Sequence, residues 1–203
     1  MKIICVGRNY VDHVDELKNE RPTEPLLFLK PDSALLPKNN HFYIPEWSQN
    51  LQHEIELVVK INRVGKYIEK QFAHKYYDEI TVGIDFTARD VQDKLKAAGH
   101  PWERAKAFDH SAVVGKFISK NAIESVENCN FELHNSQRMV QKGNTASMIW
   151  SVDELIAEAS KYFTLKIGDL LFTGTPSGVA AVKNGDILEG FLEQQRMFKV
   201  TIR

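Results

Sequence analysis

Short apolar runs, bounded by glycine, proline or polar residues, recur along this chain and limit its fold more than any other feature. Strands outnumber helical segments and do not alternate with them regularly, which argues against a βαβ Rossmann pattern and predicts a strand-rich α+β fold. The predicted strand regions are KIICVG, PLLFLKP, HEIELVV with KINRVG, YYDEITVGID, AVVGKFI, NFELHNSQRMVQKG, DLLFTGTP, GDILEGFL and RMFKVTIR.

Helical spacing is found in NYVDHVDELKNE, ARDVQDKLKAAG and SVDELIAEASKYF. The first has Tyr10, Val14 and Leu17 at i, i+4 and i+7. In the second, Thr87 followed by Asp90 resembles a capping box, and Gly99 is expected to end the helix.

Composition limits the classes of protein that the chain can belong to. With 203 residues it is long enough for one domain, which we place at residues 1–203. The net charge of −1 gives no basic surface for nucleic acid. Cys5 and Cys129 form no C-x-x-C pair, and no apolar run is long enough for a membrane span. Without a recognisable signal peptide, we expect a cytoplasmic protein.

The strand HEIELVV contains two glutamates on one face. Alternation places Ile55, Leu57 and Val59 on one side of the strand and Glu54 and Glu56 on the other. A solvated strand face is one interpretation of this pattern. If the face is enclosed instead, the two carboxylates need a cation. Asp85 ends a neighbouring apolar strand, and three carboxylates without thiolates favour a hard cation such as Mg²⁺ or Mn²⁺.

Three further groups of residues are candidates for chemistry. His13 and Glu16 lie at i and i+3, so the carboxylate can orient an imidazole that acts as a general base; the alternative is an exposed surface pair. Lys106 could stabilise an enolate and Gln92 could serve the same site, or both could be solvated. The loop at 173–176 could offer hydroxyl and N–H groups to an anion, or be an ordinary turn.

Taken in order, VGRNYVDH, PLLFLKP, HEIEL, GIDFTARDVQ, AKAFD and GDLLFTGTPSGV resemble the fumarylacetoacetate hydrolase family over nearly the whole chain. The likeness is closest to the short members that cleave acylpyruvates and decarboxylate oxaloacetate. It implies a mixed β-sandwich roll with a short N-terminal lid helix, a lid segment at about residues 8–24, and a homodimer.

The resemblance also implies a role for each candidate residue. Glu54, Glu56 and Asp85 match the ligands of Mg²⁺ or Mn²⁺. The other catalytic candidates are the water-activating pair and the pocket lysine and glutamine, namely His13, Glu16, Lys106 and Gln92. The residues expected to bind substrate are Arg8, Lys30, Arg89, Thr173, Gly174 and Thr175.

The implied substrate is a small 2-oxo acid. We expect a metal-dependent hydrolase that cleaves the C–C bond of acylpyruvates to pyruvate and a carboxylic acid, and that also decarboxylates oxaloacetate through a metal-bound enolate. Three alternatives remain open. They are an isomerase or decarboxylase of 2-hydroxy-dienoate dicarboxylic acids in aromatic catabolism, an oxaloacetate keto–enol tautomerase, and a non-catalytic metal- or ligand-binding domain. The presence of the His–Glu pair argues against the first and the last of these.

Overall fold

The computed structural model describes residues 1–16 and 20–203. Strands dominate these residues, as the sequence predicts. In chain order the strands are β1 Ile3–Gly7, β2 Leu26–Lys30, β3 Leu51–His53, β4 Ile55–Ile61, β5 Tyr77–Asp85, β6 Thr87–Ala88, β7 Ala112–Val114, β8 Ile118–Ser119, β9 Asn130–Asn135, β10 Arg138–Asn144, β11 Leu170–Phe172, β12 Ala180–Ala181, β13 Ile187–Leu192 and β14 Gln195–Thr201.

Helices are short and connect the strands. The α-helices are α1 Val11–Glu16, α2 Lys70–Ala73, α3 Arg89–Ala97, α4 Glu103–Lys106 and α5 Val152–Tyr162. Single 3₁₀ turns lie at Asp32–Ala34, Lys120–Ala122, Val126–Asn128 and Thr145–Ser147. Among the residues that the structure describes, no helix is long and apolar enough to cross a membrane.

Two larger sheets and one small sheet form the framework. The largest has the strand order β2-β1-β11-β4-β5-β7, with β8 also paired to β5. Its β1–β11 pair is parallel, whereas its other pairs are antiparallel, so the sheet is mixed. A four-stranded sheet has the order β10-β9-β13-β14, and the short strands form a third sheet, β12-β3-β6. The predicted strand-rich α+β fold with mixed sheets is confirmed.

The main core lies between the two larger sheets. Alternation directs Ile4, Leu57 and Val82 of the large sheet into one buried cluster that also contains Leu133 and Leu188 of the four-stranded sheet. Complete burial of such a side chain stabilises the fold by about 1.5–3 kcal/mol.

The opposite face of the large sheet has a second, smaller buried cluster that includes Cys5, Val58 and Phe172. Burial raises the pKa of the Cys5 thiol, so this side chain stays neutral. Glu56 lies two residues before Val58 and therefore shares this second face. The polar site thus lies on the side of the large sheet that faces away from the main core.

The HEIELVV strand is interrupted at Glu54. Leu51–His53 pairs within the small sheet, whereas Ile55–Ile61 pairs within the large one. Glu54 is therefore the residue at which the chain passes from one sheet to the other. Alternation along the run explains the shared direction of the two glutamates, but the pairing partners decide where the strand breaks.

The predicted capping box of α3 is wrong. Ala88 precedes the helix, and no side chain caps its N-terminus. Thr87 belongs to β6, and the Asp90 carboxylate accepts hydrogen bonds from the Ser48 hydroxyl and the Gln49 backbone N–H. Tertiary partners thus compete successfully with the local cap. The prediction that Gly99 ends the helix is confirmed, since Gly99 has a φ of +66° just after α3.

The other two predicted helices are present. In α5, Ser151 and Glu154 form a complete capping box. Tyr10, which directly precedes α1, and Val14 within α1 are both buried as their spacing predicts. Leu17, the third residue of that spacing, lies outside the described residues.

Candidate active site

Three carboxylates converge where β4 begins and β5 ends. Ile55 pairs with Ile84, and the Asp85 backbone N–H donates to the Glu54 carbonyl over 2.9 Å. This register brings carboxylate oxygens of Glu54, Glu56 and Asp85 within 4.8 Å of one another. The three residues are only 4%, 2% and 1% exposed, respectively. The alternative of a solvated strand face is therefore wrong.

Lys106 joins two of these carboxylates. Its Nζ donates to Glu54 Oε2 at 2.6 Å, to Asp85 Oδ2 at 2.7 Å and to the Thr87 hydroxyl at 2.6 Å. Lys106 is 3% exposed, so the alternative of a solvated lysine is also wrong. The short helix α4 ends at Lys106 and places its side chain over the triad.

Two further cations surround the triad. Lys30 Nζ lies 2.7 Å from Asp85 Oδ1 and donates to the Ser111 hydroxyl at 2.9 Å. Arg89 donates to Glu54 and to Gln92 from the first turn of α3. Three buried carboxylates thus face three buried cations, which reduces the cost of removing each charge from water.

The two glutamates differ in their electrostatic surroundings. Burial opposes ionisation of Glu54, but the charges of Lys106 and Arg89 hold the pKa of this carboxyl well below its usual range. Burial, followed by the charges of Asp85 and Glu54, raises the pKa of Glu56 well above its usual range. Glu56 is therefore the member of the triad whose charge is least compensated by side chains.

The triad has the chemistry of a site for a hard divalent cation. It offers three carboxylates, with no cysteine or histidine in the cluster. Asp85 Oδ1 is buried and accepts no well-directed hydrogen bond among the described residues, although Lys30 Nζ is near. A divalent cation would satisfy this oxygen and offset both the burial and the repulsion from Asp85 and Glu54 that raise the pKa of Glu56. The residues present therefore fit such an ion.

The loop after β11 supports the triad from the side. The Gly174 N–H donates to Glu56 Oε2 over 2.7 Å. The Thr173 and Thr175 hydroxyls donate to the carbonyls of Leu57 and Ile55 on β4, over 2.9 and 2.8 Å. Thr175 also lines the cavity described below, whereas the Thr173 hydroxyl is committed to the strand.

His13 lies beside this site on α1. Its Nδ1 is 3.2 Å from Glu16 Oε2, and the side chain is 5% exposed, so the alternative of an exposed surface pair is wrong for His13. Burial lowers the pKa of His13, although the neighbouring charge of Glu54 and the hydrogen bond of Glu16 oppose this. The imidazole is consequently neutral at pH 7 and able to accept a proton.

A small cavity of about 30 Å³ opens above the triad. The predicted site residues that line it are Arg8, His13, Glu54, Glu56, Arg89, Gln92, Lys106 and Thr175. Four other predicted residues do not line the cavity but contact the site. Asp85 contacts Lys106 and Lys30, and Gly174 contacts Glu56. Glu16 contacts His13.

Several supporting residues were not identified from the sequence. The buried Asn9 side chain donates to the carbonyls of Thr173 and Trp150, and so joins the chain before α1 to the loop after β11. Ser111 contacts Lys30, and Gln141 donates to the Thr175 hydroxyl. These residues come from distant parts of the chain, and nothing in their local sequence indicates the contact.

Comparison with known proteins shows the family to which this chain belongs. A family model described as fumarylacetoacetate (FAA) hydrolase C-terminal matches residues 2–202. The mitochondrial oxaloacetate tautomerase FAHD1 of Bos taurus is 41% identical over 187 residues, covering 92% of this chain and 85% of the bovine protein. The oxaloacetate tautomerase YcgM of Escherichia coli (strain K12) is 40% identical over 188 residues, covering 92% of this chain and 86% of that protein.

Solved structures share the fold. A fumarylpyruvate hydrolase from Pseudomonas aeruginosa, in complex with Mn²⁺ and pyruvate, matches with a TM-score of 0.93 at 33% identity. The match covers 100% of this chain and 89% of the other. The family model, the relatives and the shared fold, which span nearly all of the sequence, show that this chain belongs to the fumarylacetoacetate hydrolase family.

Proposed function

We propose that this protein is a divalent-cation-dependent enzyme that interconverts the keto and enol forms of oxaloacetate. The observation that carries the proposal is the buried triad of Glu54, Glu56 and Asp85, with Lys106 and His13 beside it. The names of the relatives at 40–41% identity support oxaloacetate as the substrate. For this reason we rank tautomerisation ahead of the acylpyruvate hydrolysis that the sequence led us to expect first.

Glu54, Glu56 and Asp85 would hold the cation, which we take to be Mg²⁺ or Mn²⁺. When bound, such an ion supplies a Lewis acid for the carboxylate and the 2-oxo group of the substrate. The Gly174 N–H keeps the Glu56 carboxylate in place, and the backbone bond between Asp85 and Glu54 keeps the two strand ends together. The chain thereby provides a preorganised set of oxygen ligands.

His13 is the base in this proposal. In the keto-to-enol direction, tautomerisation removes a proton from the carbon next to the oxo group and adds a proton to the oxo oxygen. In the reverse direction, the enol hydroxyl loses a proton and that carbon gains one. A neutral imidazole in the cavity can accept the proton that is lost, and Glu16 orients the ring through its hydrogen bond to Nδ1. The other ring nitrogen, Nε2, is then the atom that exchanges protons with the substrate.

Lys106, Arg89 and Gln92 would stabilise negative charge on the substrate oxygen. All three line the cavity above the triad. Fixed cations in a site with little water stabilise an enolate more strongly than the same cations in bulk water would. Lys106 Nζ donates to two carboxylates of the triad, so we expect Lys106 and α1 to move when an ion and the substrate bind.

Acylpyruvate cleavage is the second candidate activity, and the His13–Glu16 pair favours it. The same neutral imidazole could deprotonate a water that attacks the distal carbonyl of an acylpyruvate. Cleavage of the C–C bond would then leave a pyruvate enolate next to Lys106. Oxaloacetate decarboxylation would give the same enolate without any attacking water. The isomerase alternative, with a longer dicarboxylic substrate, stays a prediction.

The test is a spectroscopic assay of the purified protein, with enol oxaloacetate, acetylpyruvate and a 2-hydroxy-dienoate dicarboxylic acid as separate substrates. We expect metal-dependent loss of enol absorbance above the uncatalysed rate, abolished by EDTA and restored by Mg²⁺ or Mn²⁺. The Asp85→Asn variant should be inactive, and the exposed Asp109→Asn variant serves as its control. Activity on acetylpyruvate or the dienoate alone would overturn the tautomerase proposal.

The homodimer and the cytoplasmic location expected from the sequence also remain proposals. Light scattering coupled to gel filtration would test the dimer directly. A monomeric, fully active protein would contradict it.

A further inference from the structure

Lys96 belongs to the catalytic side of α3, although no sequence motif marks it. Arg89, Gln92 and Lys96 follow one another at i, i+3 and i+7, so they share one face of the helix. All three line the cavity above the triad. Lys94, two residues earlier on the same helix, is exposed and therefore serves as a matched control for Lys96.

The Lys96 ammonium has no carboxylate partner within 4 Å in residues 1–16 and 20–203. It lies 5.5 Å from the centre of the Trp102 ring, which also lines the cavity. This cation–π contact places the half-buried side chain along the cavity wall. Lys96 thus differs from Lys106 and Lys30, which are both paired with carboxylates of the triad.

Arg8 is a second cation at this cavity with unused hydrogen-bonding capacity. Its Nε is buried and has no hydrogen-bond partner among the described residues. Its backbone has a φ of +60°, a conformation that arginine rarely adopts. Such a backbone persists only where the surrounding structure holds it, here next to the buried and fully hydrogen-bonded Asn9.

The charges in the cavity are therefore distributed unevenly. Near the triad, Lys106 and Arg89 are balanced by Glu54 and Asp85. Along the wall, burial lowers the pKa of Lys96, and the positive charges of Arg89 and Arg8 lower it further. An anion bound between Lys96 and Arg8 would remove this repulsion and satisfy the free Arg8 Nε–H.

We propose that Lys96, together with Arg8, binds the second carboxylate of a dicarboxylic 2-oxo acid and so selects diacids over monocarboxylic 2-oxo acids. The 2-oxo carboxylate would lie at the triad, and the distal carboxylate would lie along the wall formed by Lys96 and Trp102. This inference rests on the proposed function for the orientation of the substrate. It adds a specificity-determining residue outside the motifs of the sequence.

The test compares two ligands that differ in the second carboxylate. Pyruvate lacks it, and 3,3-difluoro-oxaloacetate has it but no hydrogen on C3, so it cannot enolise. Calorimetry with Mg²⁺-loaded protein gives the affinity for each. Wild type should prefer the diacid. Lys96→Gln should weaken diacid binding about tenfold or more, the usual effect of losing a charge-assisted hydrogen bond, and leave pyruvate binding unchanged.

Two variants separate this role from a structural one. Lys94→Gln should bind both ligands as wild type does, and Lys96→Arg should restore most of the diacid preference because it keeps the charge. In steady-state kinetics with oxaloacetate, Lys96→Gln should raise KM much more than it lowers kcat, since the distal carboxylate takes no part in the proton transfer.

The outcomes distinguish this inference from the proposed function. Equal loss of pyruvate and diacid binding in Lys96→Gln would overturn the inference, and so would a wild-type protein without diacid preference, even if the tautomerase activity is found. A diacid preference that depends on Lys96, in a protein that does not accelerate tautomerisation, would support the inference and overturn the proposed function.

Discussion

His13 and Glu16 form a pair that connects α1 to the loop after β11. His13 Nδ1 lies 3.2 Å from Glu16 Oε2, and Glu16 Oε1 accepts a hydrogen bond from the Gly178 backbone N–H over 3.0 Å. One carboxylate thus orients the imidazole and holds the end of α1 against the loop after β11. Opening this connection would move His13 away from the triad, which is the behaviour expected of a catalytic lid.

We predict that His13→Asn lowers kcat for tautomerisation by about 10²–10⁴-fold, the usual contribution of a positioned general base. Acylpyruvate cleavage should fall by a similar factor if it occurs. Decarboxylation of oxaloacetate should fall much less, because loss of CO₂ requires neither removal of a C–H proton by the base nor an activated water. Rate measurements on the three reactions, with exposed His74→Asn as the control, check this. Unchanged tautomerisation in His13→Asn would contradict the assignment of the base.

The pH dependence of kcat/KM should report the same imidazole. Burial lowers the pKa of His13 from its ordinary value of 6.5, and a base acts in its neutral form. The activity should therefore decline only at a pH below 6.5. In Glu16→Gln the hydrogen bond and charge that raise the pKa of His13 are weakened, so the decline should move to still lower pH. A shift toward higher pH would contradict this account.

Metal affinity should depend on Glu56 and not on exposed carboxylates of the same sheet. Mutation of a residue that only hydrogen-bonds a metal ligand typically lowers metal affinity by about 10–100-fold. Glu56→Gln removes an oxygen ligand itself, so we expect a larger loss of Mg²⁺ or Mn²⁺ affinity. Glu79→Gln on β5 is the control, because its side chain is 46% exposed and pairs with Lys60. Calorimetric titration with Mn²⁺ measures both. Equal affinities in the two variants would rule out Glu56 as a ligand.

In wild type, Mg²⁺ at about 100 times its Kd should stabilise the fold by about 2.7 kcal/mol, because the ion binds only the native arrangement of the triad. Thermal unfolding with and without Mg²⁺ measures this difference. The Glu56→Gln variant should show little of it.

Gly174 should tolerate no side chain. Its φ is +98°, and a Cβ would lie 2.7 Å from Asn9 Cβ and 3.2 Å from the Val6 carbonyl oxygen. Gly168 has a similar φ of +87°, but a Cβ there would meet nothing within 4 Å. Both alanine variants carry backbone strain of about 1–3 kcal/mol. Only Gly174→Ala adds a steric clash, so it should be the less stable of the two in urea unfolding.

Gly174→Ala should also weaken Mn²⁺ binding, because the Gly174 N–H holds the Glu56 carboxylate. Gly168→Ala should leave Mn²⁺ binding unchanged. Equal stability and equal Mn²⁺ affinity in the two variants would show that the Gly174 position has no special packing role.

Much of the site could be predicted because period-2 alternation is a local property. The strands KIICVG and TVGID are found where the sequence places them, and the two glutamates of HEIELVV are buried together. The Thr87–Asp90 cap was predicted wrongly from equally local reasoning. Thr87 instead accepts a hydrogen bond from Lys106, and Asp90 accepts one from Ser48. Each of these partners lies far away in sequence.

The sequence by itself identified the candidate side chains for the chemistry, because the residue types and their order along the strands already single out three carboxylates, a lysine and a His–Glu pair. Only the tertiary structure decided the electrostatic surroundings of these side chains and which further residues lie beside them. Pairing of β4 with β5 brings Glu54 to Asp85, packing of α3 and α4 places Arg89 and Lys106 beside them, and α3 also adds Lys96. Electrostatic interactions in a buried site depend on distances of a few ångströms between residues that are remote in sequence, and only the folded chain sets those distances.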